Sequence, residues 1–326
     1  MIWHGESIMK TASSATVILL MVIAGAFWGY AGEPESGGYA DIIDISPQMV
    51  PLAGVPGFTI PVPSAPGTAV QSNKKAVIDY SNAKDGYVMI KYLQRTSKPV
   101  KVMIKGPSGA TYTYNLKTDG NYEVFPLSDG NGSYNVGVYE QVQGTKYSVA
   151  NTVTVRVTLT DQFAPFIRPN QYVNYGPGSQ TVRKAAELIG GSNGLTDMIA
   201  AIYNFVVGNF SYDKELARNV KSGYVPNVDA VLGRRKGICF DYAAVMTAML
   251  RSLGIPCRLV VGYAGEAYHA WITVYSKETG SVNQLIYFDG KSWTLMDPTF
   301  ASTANQSSEI MKYIGNGSNY REQLRY

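Results

Sequence analysis

The sequence predicts two folded parts in series, an all-β sandwich followed by an α+β domain. Three observations predict this. Between residues 76 and 162, short segments rich in Val, Ile, Tyr and Thr alternate with turn residues. From about Thr181 the apolar spacing becomes helical, and after Gly254 and Pro256 it returns to strands.

Length and composition agree with that plan. At roughly 100–200 residues per domain, 326 residues make about two domains. A hydrophobic share of 45% and a charged share of 16% are those of a globular chain and exclude a disordered one. The low charge and the 24 tyrosines suit a β-rich extracellular protein. The net charge of +4 is a weak basic bias, and no Lys/Arg block is long enough to form a nucleic-acid patch, so nucleic acid is not expected as a partner. Two cysteines, Cys239 and Cys257, are too few for a disulfide scaffold or a four-ligand zinc site. No dense Asp/Glu cluster suggests a calcium site, so neither metal nor cofactor is expected. The histidines are His4 and His269, and any imidazole chemistry in the folded parts falls on His269.

Residues 10–31 read KTASSATVILLMVIAGAFWGYA. A charged Lys10, an apolar run from Thr16 to Phe27 and small residues at Ala24, Ala26, Gly29 and Ala31 form the pattern of a secretory signal. The 22 uncharged residues between Lys10 and Glu33 are also long enough for an uncleaved anchor, which needs about 20. Residues 1–32 are therefore expected to be a signal peptide or signal anchor. The rest of the chain is expected to be secreted or at the cell surface, with the membrane a partner only through that anchor. Residues 33–75 carry Pro47, Pro51, Pro56, Pro61, Pro63 and Pro66. Repeated proline removes amide donors and fixes φ, so this stretch reads as an extended linker, within which the apolar "GFTIPV" could add a strand to a neighbour.

Residues 76–162 contain "AVIDYS", "YVMIKYL", "VKVMIKG", "TYTYNL", "YEVFPL", "YNVGVYEQV" and "VTVRVTL". Turn pairs such as Asp85-Gly86, Asp119-Gly120 and Asp129-Gly130 bound them. Seven such strands suit an immunoglobulin-like β-sandwich, without catalytic groups and serving as spacer or surface-binding module. Residues 163–326 form the second part. Met198, Ile199, Ile202, Tyr203, Phe205 and Val206 give one helical face, with Thr196-Asp197 at its start. Cys239, Tyr242, Met246, Met249, Leu250 and Leu253 recur at three- and four-residue spacing, an amphipathic helix that Gly254 and Pro256 end. "RLVVGY", "AWITVY", "QLIYFDG" and "SWTLMDP" read as strands, which makes an α+β plan.

Four motifs stand in order in this part: Gly237-Ile238-Cys239 at a helix start, Gly254-Ile255-Pro256 followed by Arg258, His269-Ala270-Trp271 on a strand, and Asp297-Pro298-Thr299 on the next. In this order they resemble the core of the transglutaminase-like superfamily, over roughly residues 180–300. The resemblance implies a papain-like α+β catalytic domain in which Cys239 is the nucleophile, His269 the base and Asp297 the residue that orients the histidine. The residues support the assignment independently. Cys239 lies in the first turn of a helix, where unpaired amides and the positive dipole end favour a thiolate. Arg234, Arg235 and Lys236 add positive potential, and Gly237 leaves room for a substrate backbone. A neighbouring imidazole can take the thiol proton, and a buried carboxylate can fix its tautomer. Cys257 reads as buried packing, because the intervening helix of ~20 Å keeps it from the ~6 Å Cα separation of a disulfide with Cys239.

Other residues read first as structural: Trp271 and Trp293 as packing, Tyr263 and Tyr268 as cleft edges, Asp241 as stabiliser of the helix N-terminus or ion partner of Arg234 or Arg235, and Arg258 as part of its turn. Animal transglutaminases place a tryptophan upstream of the cysteine, and none precedes Cys239 in this domain. The Cys239 amide can give one oxyanion donor. Tyr212 and Tyr224 are candidates for a second. Three functions follow. The chain could be a cysteine peptidase or amidase acting on a protein or peptide substrate, cell-surface or cell-wall material included. It could be a protein-glutamine transglutaminase, or a non-catalytic surface module. Hydrolysis is slightly favoured.

Overall fold

The computed structural model describes residues 48–51 and 59–326. The signal or anchor segment, residues 1–32, lies outside the described residues, as do residues 33–47 and 52–58 of the proline-rich stretch. Strands β1 (Gln48–Pro51) and β2 (Thr59–Val62) pair with each other. The remainder divides into two compact units, one built mainly on residues 61–171 and the other on residues 172–325.

The first unit is β-rich and antiparallel. Its strands are β3 (Val70–Ser72), β4 (Ala76–Asp79), β5 (Tyr87–Tyr92), β6 (Val100–Lys105), β7 (Thr111–Leu116), β8 (Glu123–Pro126), β9 (Gly132–Gln143) and β10 (Lys146–Val157). They form two four-stranded sheets, in the orders β3-β4-β5-β8 and β10-β9-β6-β7. Alternation explains the layering. On β6, Val100, Val102 and Ile104 are buried while Lys101, Met103 and Lys105 are not. The faces meet across a core in which the Tyr114 and Phe125 rings pack edge-on at 5.0 Å. The sheets hold eight strands rather than seven. The additional one, β3, is three residues long and lies in the stretch read as linker, where neighbouring Pro and Gly hid its pairing with β4.

The second unit opens with helices. These are α1 (Gln180–Leu188), α2 (Leu195–Asn209), α3 (Lys214–Asn219), α4 (Val228–Arg234) and α5 (Cys239–Ser252), with the two-residue strands β11 (Ser211–Tyr212) and β12 (Lys236–Gly237) pairing in parallel among them. Then come β13 (Cys257–Ala264), β14 (Ala267–Tyr275), the hairpin β15 (Thr279–Val282) and β16 (Ile286–Asp289), β17 (Trp293–Met296), α6 (Pro298–Thr303), α7 (Ser308–Gly315) and β18 (Tyr320–Arg325). The main sheet is antiparallel in the order β17-β14-β13-β18. The helical stretch from Thr181 is interrupted by the Gly- and Ser-containing segment at 189–194, so it forms two helices.

Helix α5 differs from expectation. Its spacing suggested one apolar face, yet every residue from Cys239 to Ser252 except Phe240 is buried. It packs on β13 and β14 on one side and on α1, α2 and α4 on the other, so it is the central helix of the unit. Met246, Met249 and Leu250 are fully enclosed, each contributing roughly 1.5–3 kcal/mol by burial. Even Arg251 is enclosed, its Nε donating to the Cys257 carbonyl at 2.8 Å. A helix anchored on all sides holds its first residue, Cys239, on a rigid mount.

Candidate active site

Cys239 begins α5 at Ile238, which supplies no side-chain acceptor for the helix start. The reverse bond is made: Asp241 Oδ2 accepts the Ile238 amide at 2.9 Å. Asp241 is fully buried, and Tyr224 donates its hydroxyl to Oδ1 at 2.6 Å while Arg234 approaches Oδ2 at 3.7 Å. Burial pushes the Asp241 carboxyl up, against the pull of Tyr224, the Ile238 amide and Arg234. Asp241 thus both stabilises the helix N-terminus and pairs with Arg234.

Three expectations change here. A Cβ on Gly237 would lie 2.5 Å from the Asp241 Cβ, so the glycine makes space for Asp241, not for substrate. Tyr224 spends its hydroxyl on Asp241 and is not a free oxyanion donor. The basic triplet is partly neutralised, because Arg234 faces Asp241, Lys236 lies 3.6 Å from Asp213, and Arg235 sits 5.7 Å over the Phe205 ring.

His269 is on β14, opposite Gly262 of β13. The Gly262 position must be bare: a Cβ there would collide with the Arg321 carbonyl and come within 2.9 Å of the Trp271 ring. The imidazole stacks on Phe300 at 4.3 Å, with 16° between the planes, and lies parallel to Trp271 farther off. Its Nε2 is 2.8 Å from Asp297 Oδ2. Asp297 takes Nε2, which leaves Nδ1 as the other ring nitrogen, and Cys239 is near enough to act on the imidazole electrostatically. Both side chains are nearly enclosed, Cys239 at 4% and His269 at 6% exposure. Burial alone would lower the imidazole pKa. The charges of Asp297 and Cys239 and the hydrogen bonds to both outweigh it and raise the group from 6.5 to about 10.

Asp297 has no exposed surface and two separate duties. Its Oδ1 caps α6, accepting the amides of Thr299 at 3.1 Å and Phe300 at 2.9 Å. Its Oδ2 accepts from His269 and from the Tyr320 hydroxyl at 2.9 Å. The fold therefore brings Cys239, His269 and Asp297 together, from a helix start, a strand and a helix cap; Asp297 was expected on a strand, but β17 ends at Met296 because Pro298 starts α6.

Cys257 lies apart as a free, fully buried thiol donating to Thr247 Oγ1 at 3.4 Å. Burial pushes it up to about 12, the condition of an inert packing residue. Tyr212 pairs with Gly237 across the parallel β11–β12 bridge, which sets it beside the start of α5. Burial raises its phenol, and the nearby Cys239 raises it further. Tyr268 is likewise raised to about 12, by burial first, then by Tyr263 and Cys239. Its ring meets Tyr263 edge-on at 5.5 Å, forming an aromatic edge near the sulfur. Trp271 is packing, and Trp293 lies under the Arg258 guanidinium at 3.7 Å. Among the described residues no three His, Cys, Asp or Glu side chains are grouped to hold a metal ion, and no helix is long and apolar enough to cross a membrane. Sequence reasoning missed Phe300 and Tyr320. Phe300 could have been suspected from its place three residues after Asp297. Nothing local in the sequence marked Tyr320.

Residues 182–298, which hold Cys239, His269 and Asp297, match the family described as the Transglutaminase-like superfamily. Eighty-six residues are 30% identical to a protein-glutamine gamma-glutamyltransferase of Pseudomonas aeruginosa, a match over 22% of this chain and 11% of that protein's length. Among solved structures, the chain is similar to a candidate cysteine protease from Cytophaga hutchinsonii, with a TM-score of 0.38, 15% identity and coverage of 74% of this chain and 76% of that one. It is also similar to red sea bream transglutaminase, with a TM-score of 0.29, 12% identity and coverage of 65% and 48%.

Proposed function

We propose that the chain is a thiol enzyme acting on peptide or side-chain amide bonds through a thioester on Cys239, with water as the usual acceptor. The observation that carries this is one enclosed imidazole bonded through Nε2 to a buried carboxylate, with Cys239 near enough to act on the same ring. An imidazole raised to about 10 is protonated at neutral pH, so His269 carries a proton that it can give to a leaving group. The Cys239 sulfur attacks the amide carbonyl carbon, and the oxygen that takes the charge is received by the Cys239 amide and the Tyr212 hydroxyl. As the tetrahedral species collapses, the imidazolium gives its proton to the leaving amine and the C–N bond breaks. His269, now neutral, takes a proton from a water whose oxygen attacks the thioester carbon; the C–S bond then breaks, its electron pair returns to the Cys239 sulfur, and the carboxylic acid leaves. Asp297 holds the Nε2 proton throughout, which keeps Nδ1 on the reaction side.

The near-enclosure of Cys239 favours a slender acyl donor, such as an extended peptide amide or a glutamine side chain. A second outcome of the same thioester, attack by a primary amine, is favoured by the name of the Pseudomonas aeruginosa relative. Incubating the protein with a glutamine-containing protein and a labelled primary amine separates the two: fragments or released ammonia without label mark hydrolysis, and incorporated label marks transfer. Neither product, with Cys239→Ala indistinguishable from wild type, leaves a binding module as the better account. Export belongs to the same proposal. The segment from Lys10 to Ala31 supports placement outside the cytoplasm, and an immunoglobulin-like role for the first unit would make it a spacer to the surface. Full-length protein found soluble in the cytoplasm on cell fractionation would overturn it.

A further inference from the structure

The carboxylate that orients His269 is reached by a donor from a part of the chain beyond all four motifs. Strand β18 closes the main sheet along β13, pairing Ala264 with Tyr320 and Gly262 with Glu322. From that edge the Tyr320 hydroxyl donates to Asp297 Oδ2, the oxygen already bonded to His269. Oδ1 has its own two amide donors. A carboxylate with no solvent contact is thus fully satisfied, two donors to each oxygen, and Tyr320 completes the set.

The tyrosine is fixed where it stands. Its ring meets Trp271 edge-on at 5.1 Å and Tyr313 at 5.9 Å. The bare Gly262 lets β18 come close enough to bring it in. Other titratable groups face the His269–Asp297 pair: Cys239 from α5, Tyr203 from α2 and Tyr313 from α7. Neither of those phenols has a hydrogen bond to the carboxylate in the structure. The Tyr203 hydroxyl lies 4.0 Å from Met311 Sδ, and the Tyr313 hydroxyl lies toward Gly265.

We propose that Tyr320 is a positioning residue of the active site, whose hydroxyl holds Asp297 as an oriented anion so that the shared proton stays on His269 Nε2 and Nδ1 stays turned to Cys239. The proposal rests on Cys239, His269 and Asp297 acting as a catalytic unit. The physical reason is the buried charge. An enclosed carboxylate short of one donor either draws harder on its remaining partner or rotates to find another. Either response weakens the hold on the imidazole tautomer. The hydroxyl disperses the carboxylate charge, so the imidazolium releases its Nδ1 proton to the leaving group more readily than it otherwise would, while the Nε2 proton stays with Asp297.

The test uses the full chain labelled with nitrogen-15 histidine. It has two imidazoles, and His4→Gln identifies the resonance of His269. Tyr320→Phe keeps the ring and removes the hydroxyl. Tyr313→Phe removes a hydroxyl from the same aromatic wall without touching the carboxylate. In Tyr320→Phe the His269 titration should move upward by about half a pH unit or more, the Nε2-bound proton should shift, and single-turnover acyl transfer should fall about tenfold with KM little changed. Tyr313→Phe should leave the titration in place. A wild-type His269 that titrates near its ordinary value overturns the catalytic unit and the role of Tyr320 with it. A wild-type His269 that is raised, but that Tyr320→Phe does not move, overturns the role of Tyr320 alone. A loss of melting temperature in Tyr320→Phe with the His269 signals unmoved makes the contact purely structural and overturns the proposal.

Discussion

Replacing Asp297 with Asn separates the two duties of this side chain. The amide oxygen can remain where Oδ1 is, accepting Thr299 and Phe300 and keeping the α6 cap. The amide nitrogen then stands where Oδ2 was, donor against donor with His269 Nε2–H and the Tyr320 hydroxyl. The imidazole must give up the Nε2 proton and adopt the tautomer protonated on Nδ1, which cannot accept from the thiol. Two charge-assisted hydrogen bonds are lost, at ~1.5–3 kcal/mol each. The rise of His269 from 6.5 to about 10 corresponds to roughly 5 kcal/mol of preference for the charged ring, most of which goes with the carboxylate. Burial, the largest influence on the ring and a lowering one, is then opposed by Cys239 alone, so His269 should titrate well below its wild-type value in the variant. Because the folded value is the raised one, the stabilisation is complete below pH 6.5 and is lost as pH climbs through about 10. Urea denaturation of the wild type should therefore show this contribution at pH 6 and its decline towards pH 10, and Asp297→Asn should show neither. Turnover should fall on the order of a thousand- to ten-thousand-fold while the far-ultraviolet spectrum is unchanged. A variant that keeps the wild-type dependence of stability on pH between 6 and 10, or that keeps its turnover, refutes the orientation of His269 by Asp297.

Cys239→Ala should abolish all amide cleavage and transfer in the labelled-amine assay, whereas Cys257→Ala should keep activity and lose about 1 kcal/mol in denaturation, the cost of a small cavity. Tyr212→Phe should slow the single-turnover acylation step by about ten- to a thousandfold if its hydroxyl receives the developing negative charge; an unchanged rate assigns that role elsewhere. Gly262→Ala should lower stability by ~1–3 kcal/mol and reduce activity together, since the obstacle is the Arg321 backbone, which cannot swing aside, and normal stability would show that β18 yields easily.

The parts of the site that were legible in the sequence are those whose chemistry is local. A glycine two residues before a cysteine at a helix start, a histidine within a strand, and an aspartate before proline each declare their own backbone setting. Asp297 even carries its cap signature, an acidic residue followed by Pro298. What stayed hidden depends on partners distant in the chain. Gly237 suggested open space beside the sulfur because the sequence does not say that Asp241 folds back into it. Tyr224 looked available until Asp241 claimed it. The α5 spacing showed one apolar face, and its other faces are buried only because α1, α2 and α4 pack around it. Tyr320 is one of 24 tyrosines, and only the pairing of β18 with β13 distinguishes it. Strand β3 was lost among prolines for the related reason that three residues hold no periodicity.

The division of labour within Asp297 ties the chemistry to the mechanics of a very short helix. Helix α6 has six residues, and its first turn is clamped by the same carboxylate that steers the imidazole. Short helices fray at their ends well before a domain melts as a whole. When that turn opens, Asp297 swings, and Phe300, the floor beneath the imidazole, leaves with it. Any opening of that turn would therefore part Asp297 and Phe300 from His269 in a single event, because one helix start carries both contacts to the ring.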